Sequence, residues 1–247
     1  MIVTGSIRVR SGVAVSNQIA YTIPSFDRTP INELNPEKRC PCVLLLDVSG
    51  SMSAGGKLAE METGVREFKA AILEDSHTSK RVEVAVITFG GESARVVTDF
   101  VGARDFEPPN LVADGLTPMG AAIHAAIDLV AARKRDYRAS GLSYFRPWII
   151  LMTDGEPTDG ELWRTAADRV HEGESPANKA FVFYAFGIGD EARMDILSTI
   201  SVRTPMKVRG FAFRELFAWL SMSLASVSRT SPGESLQVEK PGDWVID

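Results

Sequence analysis

Short apolar runs alternating with helix-length amphipathic segments constrain this chain more than any other feature. Cys42–Val48 (CVLLLDV), Trp148–Thr153 (WIILMT) and Ala180–Ile188 (AFVFYAFGI) have strand length and little polar alternation. Each reads as a strand buried on both faces. Val82–Phe89 (VEVAVITF) is strand-like too, and Arg95–Val101, after the Gly90-Gly91 turn, reads as its hairpin partner. Between the strands, Lys57–Leu73 spaces Leu58, Met61, Val65, Phe68 and Ile72 three and four apart, which predicts a helix. Ala121–Arg133 carries Ala122, Ile123, Ala126, Ile127 and Val130 on one stripe, and Glu161–Glu172 is helical. A further helix, a short strand and a last helix over Arg214–Val227 complete the pattern. The implied fold is α/β: a doubly wound, mostly parallel central sheet with one antiparallel edge strand and helices on both faces. Ligands of such sheets bind beyond the carboxyl ends of the strands, which directs attention to the residues after Leu46, Thr88, Met152 and Gly187.

Composition removes several classes. A hydrophobic fraction of 45% over 247 residues is enough for a large core and excludes disorder. Two cysteines exclude a disulfide scaffold. The net charge of −5, with no basic block, argues against a nucleic-acid footprint. The longest apolar stretches fall far short of the roughly 20 residues of a membrane span. Arg8 and Arg10 interrupt what would have to be a leader sequence. A soluble, cytoplasmic protein without membrane insertion is the expectation. Residues 40–229 form the expected domain. Residues 1–39 precede it with alternating patches (Ile7/Val9, Val13/Val15, Ile19/Tyr21/Ile23) that read as a hairpin or an added edge strand. Residues 230–247 read as a tail whose apolar end, Trp244–Ile246, folds back or docks elsewhere.

The chemistry gathers at the strand ends. In Asp47-Val48-Ser49-Gly50-Ser51, directly after the first strand, alternate residues aim one carboxylate and two hydroxyls toward one point, and Gly50 allows a tight turn. Thr117, in Leu116-Thr117-Pro118-Met119-Gly120, lies in the loop entering a helix, with Pro118 suited to its first position. Asp154 follows another buried strand. All-oxygen donors suit a hard cation, Mg²⁺ or Mn²⁺. The competing reading of the first segment is a strand-end Asp with a helix-capping Ser. Glu156 and Asp159 read as a turn residue and a helix N-cap. Cys40 and Cys42 lack the further ligands zinc needs and read as small apolar residues entering the first strand. His77, His124 and His171 are scattered and support no Ser-His-Asp triad. Gly50–Lys57 fails as a phosphate loop, because Ser51 stands where its first glycine belongs and Leu58 replaces the hydroxyl residue.

Asp47-x-Ser49-x-Ser51, Thr117 and Asp154 together resemble the metal-ion-dependent adhesion site of the von Willebrand factor A domain family, over roughly residues 40–228. Within that family, LDVSGSM (46–52), LTPMG (116–120) and LMTDGEPT (151–158) are most similar to bacterial tellurium-resistance TerY-type proteins. The resemblance implies that Ser49, Ser51 and Thr117 coordinate the metal directly. Asp47 and Asp154 would act largely through water, and a partner's Glu or Asp would complete the octahedron. It implies a non-enzymatic interaction module in stress response, with kinase-like, phosphatase-like or other tellurium-resistance proteins as partners. Leu116 departs from the small residue often found at its place. Two other functions stay open at this point: a metal-assisted phosphohydrolase, and an accessory subunit of an AAA-type ATPase or chelatase complex.

Overall fold

Along the first strand, β1 (Cys40–Asp47), successive side chains enter two separate cores. Leu44 and Leu46 face one, Val43 and Leu45 the other, and all four are fully buried. A strand can be apolar on both faces only if helices cover both, and that is the arrangement here. The computed structural model describes residues 28–209, 212–229, 242, 243, 245 and 246. The sheet also contains β2 (Val82–Gly90), β3 (Ser93–Gly102), β4 (Trp148–Thr153), β5 (Val182–Ile188), β6 (Met206–Val208) and β7 (Val245–Ile246), in the order β3-β2-β1-β4-β5-β6-β7. Within β1–β6 all pairings are parallel except β2–β3, the expected antiparallel edge. The two-residue β7 extends the opposite edge antiparallel to β6, so Val245–Ile246 of the tail folds back onto the sheet. Trp244 and the patches within 1–27 lie outside the described residues.

The helices are α1 (Lys57–Glu74), α2 (Thr78–Arg81), α3 (Met119–Ala139), α4 (Leu162–Glu174), α5 (Met194–Ile200) and α6 (Phe213–Arg229). Helices α1 and α6 cover the Leu44 face, and α3, α4 and α5 cover the Val43 face. The aromatic side chains at β5 divide by pleat: Phe181, just before the strand, and Phe183 join the Val43 face, and Tyr184 and Phe186 the other. On that second face Trp219 of α6 is buried, with ring centroids 5.5 Å from Tyr184 and 5.8 Å from Phe186. Helix α3 runs six residues beyond the predicted Arg133 end. Its apolar stripe continues through a charged stretch because Arg133 and Tyr137 are themselves buried.

The reason is an ionic cluster at the amino end of β2. Glu83 is buried, with Arg39 Nε 3.2 Å from Oε1 and Arg133 Nη2 2.7 Å from Oε2. The Tyr137 hydroxyl also donates to Oε2. Arg39 further donates to the carbonyls of Asn32, Asn35 and Glu37, and Arg133 to that of Thr29. Residues 28–38 thus contain no strand but are held to the sheet by two guanidinium groups. Two buried cations sharing one carboxylate make its removal costly. Glu83→Ala should destabilise the fold by about 3–5 kcal/mol in urea unfolding; a loss no larger than that of an exposed Glu→Ala change would contradict this role.

Candidate metal centre

Parallel pairing of Leu46 with Met152 ends β1 and β4 side by side, at the point where strand order reverses. This is the crevice in which doubly wound sheets bind ligands. Asp47, at the end of β1, is completely buried. One of its oxygens accepts the Ser49 N–H at 2.7 Å and the other accepts the hydroxyl of Thr153. Burial pushes the Asp47 carboxyl up to about 6 against the opposing hydrogen bonds from Ser49 and Thr153, and the Asp154 charge pushes the same way as burial.

After an extended Ser49, the chain turns into a 3-10 segment, Gly50–Gly56. The turn brings the Ser49 and Ser51 hydroxyl oxygens to 3.0 Å, and Ser51 donates to Asp154 Oδ1 at 2.6 Å. Ser49 and Asp154 are buried, whereas Ser51 is exposed. The Gly50 N–H donates to the Gly115 carbonyl at 2.9 Å. A Cβ at Gly50 would stand 3.3 Å from that carbonyl, so the predicted tight turn has a packing reason. The second oxygen of Asp154 pairs with the Lys57 ammonium.

Thr117 reaches the same spot from the β3–α3 connection. That loop is tied to the end of β1 by the Asp114 N–H donating to the Val48 carbonyl at 2.7 Å. It is tied to the end of β4 reciprocally. The Thr117 N–H donates to the Thr158 hydroxyl (2.9 Å), and the Thr158 N–H donates to the Thr117 carbonyl (3.0 Å). A Cβ placed on Gly155 would lie 3.3 Å from Thr117 Oγ1 and 3.7 Å from Asp47 Oδ2, so Gly155 leaves both side chains facing the same small space. Asp47, Ser49, Ser51 and Asp154 form one chain of contacts, and Thr117 lies across Gly155 from it.

One neighbour departs from the sequence expectation. Asp159 does not cap its own helix. Its carboxylate crosses to α3 and accepts the Ala121 N–H at 2.9 Å, and no side-chain cap bond serves the start of α4. Glu156 sits on the rim, 2.6 Å from Arg193. His124 is engaged between helices, with Nε2 3.0 Å from Thr165 Oγ1 and Nδ1 2.9 Å from Arg169. Cys40 and Cys42 are fully buried in β1, and burial pushes the Cys40 thiol up to about 12 and the Cys42 thiol upward too, so both are unreactive as thiolates. Sequence reasoning missed Thr153 and Lys57. Thr153 was findable as the residue that β-register must set beside Asp47. Gly120 is a third omission: a Cβ there would stand 2.4 Å from the Trp163 backbone nitrogen, so glycine lets α3 and α4 approach next to Thr117.

The donor set is two carboxylates and three hydroxyls. Among the described residues no three His, Cys, Asp or Glu side chains group to hold a metal, so an ion here would have to rest on hydroxyls as well as carboxylates. A small octahedral ion with oxygens at about 2.0–2.1 Å requires adjacent donors about 2.9 Å apart. The Ser49–Ser51 separation of 3.0 Å meets that requirement.

The von Willebrand factor type A domain model matches residues 42–216. No curated protein matches the chain. Among solved structures, the pilus adhesin SpaC from Lactobacillus rhamnosus GG is similar with a TM-score of 0.59 and 16% identity, over 81% of this chain and 31% of that one. Proximal thread matrix protein 1 from the mussel byssus, with a zinc-occupied MIDAS motif, gives 0.52 and 18% over 76% of this chain and 48% of its own. Manganese-loaded TRAP protein of Plasmodium vivax gives 0.50 and 17%, over 73% of each chain. The chain spans about half the length of the mussel protein and under a third of the adhesin. Among the described residues no helix is long and apolar enough to cross a membrane. With a family match over most of its length and the same fold in these structures, the chain belongs to the von Willebrand factor type A domain family.

Proposed function

We propose that this protein is a non-enzymatic, metal-dependent interaction module. Ser49, Ser51 and Thr117 would hold Mg²⁺ or Mn²⁺ directly, with Asp47 and Asp154 acting through water. The bound ion supplies an electrophilic point that accepts a Glu or Asp carboxylate from a partner protein. The observation that carries this reading is the chain of contacts from Asp47 through Ser49 and Ser51 to Asp154, with Thr117 facing the same space across Gly155. Two carboxylates balance a divalent ion, and Lys57 adds a positive charge beside them, so the loaded site favours an anion. The zinc and manganese in two similarly folded proteins support a divalent ion at this place. The engagement of His124 with Thr165 and Arg169 on α4 favours binding over hydrolysis, because that imidazole is taken up in helix packing. The TerY-like phrases at 46–52, 116–120 and 151–158 support a cytoplasmic bacterial stress-response setting such as tellurite resistance. Kinase-like, phosphatase-like or other tellurium-resistance proteins are the partners that setting implies.

Calorimetric titration of Mg²⁺ or Mn²⁺ into EDTA-stripped protein should give one site, weakened about 10–100-fold or abolished by Ser49→Ala. A pull-down should retain an interacting protein with metal present and lose it in EDTA and in Asp47→Ala. Unchanged metal binding in Ser49→Ala, or a protein set insensitive to both treatments, would overturn the proposal.

The burial of Asp47 adds a pH-dependent expectation. Its folded-state pKa of about 6 lies above the ordinary 3.8, so the folded metal-free protein binds more protons than the unfolded chain between these values. Stability from this group is complete below the lower value and is lost as pH rises through about 6. In EDTA, Asp47→Asn should therefore raise unfolding stability by about 1–3 kcal/mol at pH 7.5 and leave it nearly unchanged at pH 4. Equal effects at both pH values would show that the ionised carboxylate carries no such cost.

A further inference from the structure

Lys57 stands in an unusual place for a cation. It opens α1, where the exposed backbone N–H groups and the helix dipole disfavour positive charge. Gly55 and Gly56 precede it with φ of 67° and 79°, a double left-handed reversal that carries its side chain back over the Ser51 turn. The side chain is only 13% exposed. Its ammonium pairs with Asp154 Oδ2 and lies 3.3 Å from the Ser51 carbonyl oxygen. Asp154 thus has one oxygen on the Ser51 hydroxyl and the other on a tethered cation. Asp154 is itself 2% exposed, so the charges meet where screening by salt is weak.

We propose that Lys57 is a built-in counter-cation that competes with the divalent ion for Asp154 and thereby sets how tightly this site holds metal. The inference rests on the metal-site reading above. An ammonium is a compact point charge on a flexible stem, able to neutralise the carboxylate and to swing aside. A dication arriving among Ser49, Ser51 and Thr117 meets a like charge on the neighbouring carboxylate. It must either tolerate that repulsion or displace the ammonium from Asp154. In both cases Lys57 lowers affinity, while with no metal bound it relieves the repulsion between two buried carboxylates.

The test is calorimetric titration of Mn²⁺ into EDTA-stripped wild-type, Lys57→Gln, Lys57→Met and Lys57→Arg proteins at fixed ionic strength, with thermal unfolding of each in EDTA and in excess Mn²⁺. The two neutral variants should bind Mn²⁺ at least about tenfold more tightly than wild type. They should also show a larger Mn²⁺-induced rise in Tm. Lys57→Arg, which keeps the charge, should stay within about threefold of wild type. Lys57→Met retains most of the stem's packing, which separates charge from folding. If wild type binds one Mn²⁺ and both neutral variants bind equally or more weakly, the counter-cation role is overturned and the metal site stands. If wild type and the neutral variants all fail to bind, the metal-site reading itself falls.

Discussion

The carboxylate of Asp47 is the constraint on which the site depends. It is buried at the end of the central strand, between the Ser49 N–H and the Thr153 hydroxyl. A buried carboxylate pushed up by desolvation is costly unless something compensates its charge. Those two bonds only partly do so, and they also fix where the chain goes next. The Ser49 N–H ties the turn back to the strand that generated it, and Thr153 locks the ends of β1 and β4 together. The Ser49 and Ser51 hydroxyls and the Asp154 carboxylate are placed as a consequence.

The third loop is placed by backbone bonds more than by side-chain chemistry. Asp114 bonds the end of β1, Thr117 and Thr158 bond each other, and Asp159 holds the first turn of α3 from the far side of the crevice. Gly50, Gly120 and Gly155 stand where loops or helices come too close for a side chain to be neutral. Movement of the Thr117 loop relative to Asp154 would have to break this reciprocal stitching.

Much of this was legible in the sequence for definite reasons. Strands buried on both faces have no polar alternation, so Cys42–Val48 and Trp148–Thr153 announced a parallel sheet, and the strand-end rule pointed to Asp47 and Asp154. Residue type and spacing selected Ser49, Ser51 and Thr117, and the fold sets the two hydroxyls of the serines 3.0 Å apart with Thr117 across Gly155. Less legible were contacts that depend on three-dimensional register. The last turns of α3 were hidden by their charges, whose burial requires Glu83 from β2 and Arg39 just before β1. Asp159 looked like an N-cap because it precedes a helix, but a carboxylate can cap whichever helix start it faces. Lys57 fits no phosphate-loop pattern, and nothing in its sequence neighbourhood shows that the two left-handed glycines before it aim it at Asp154. A two-residue strand such as β7 carries no periodicity at all.

The central claim is that five residues, from the end of β1 with its following turn, the β3–α3 loop and the residue after β4, form one site for a hard divalent ion. The most direct measurement is anomalous diffraction from crystals grown with Mn²⁺. A single peak about 2.0–2.2 Å from the hydroxyl oxygens of Ser49, Ser51 and Thr117, with Asp47 and Asp154 one water away, is the predicted result. No peak at saturating Mn²⁺, or a peak held by other side chains, would contradict it.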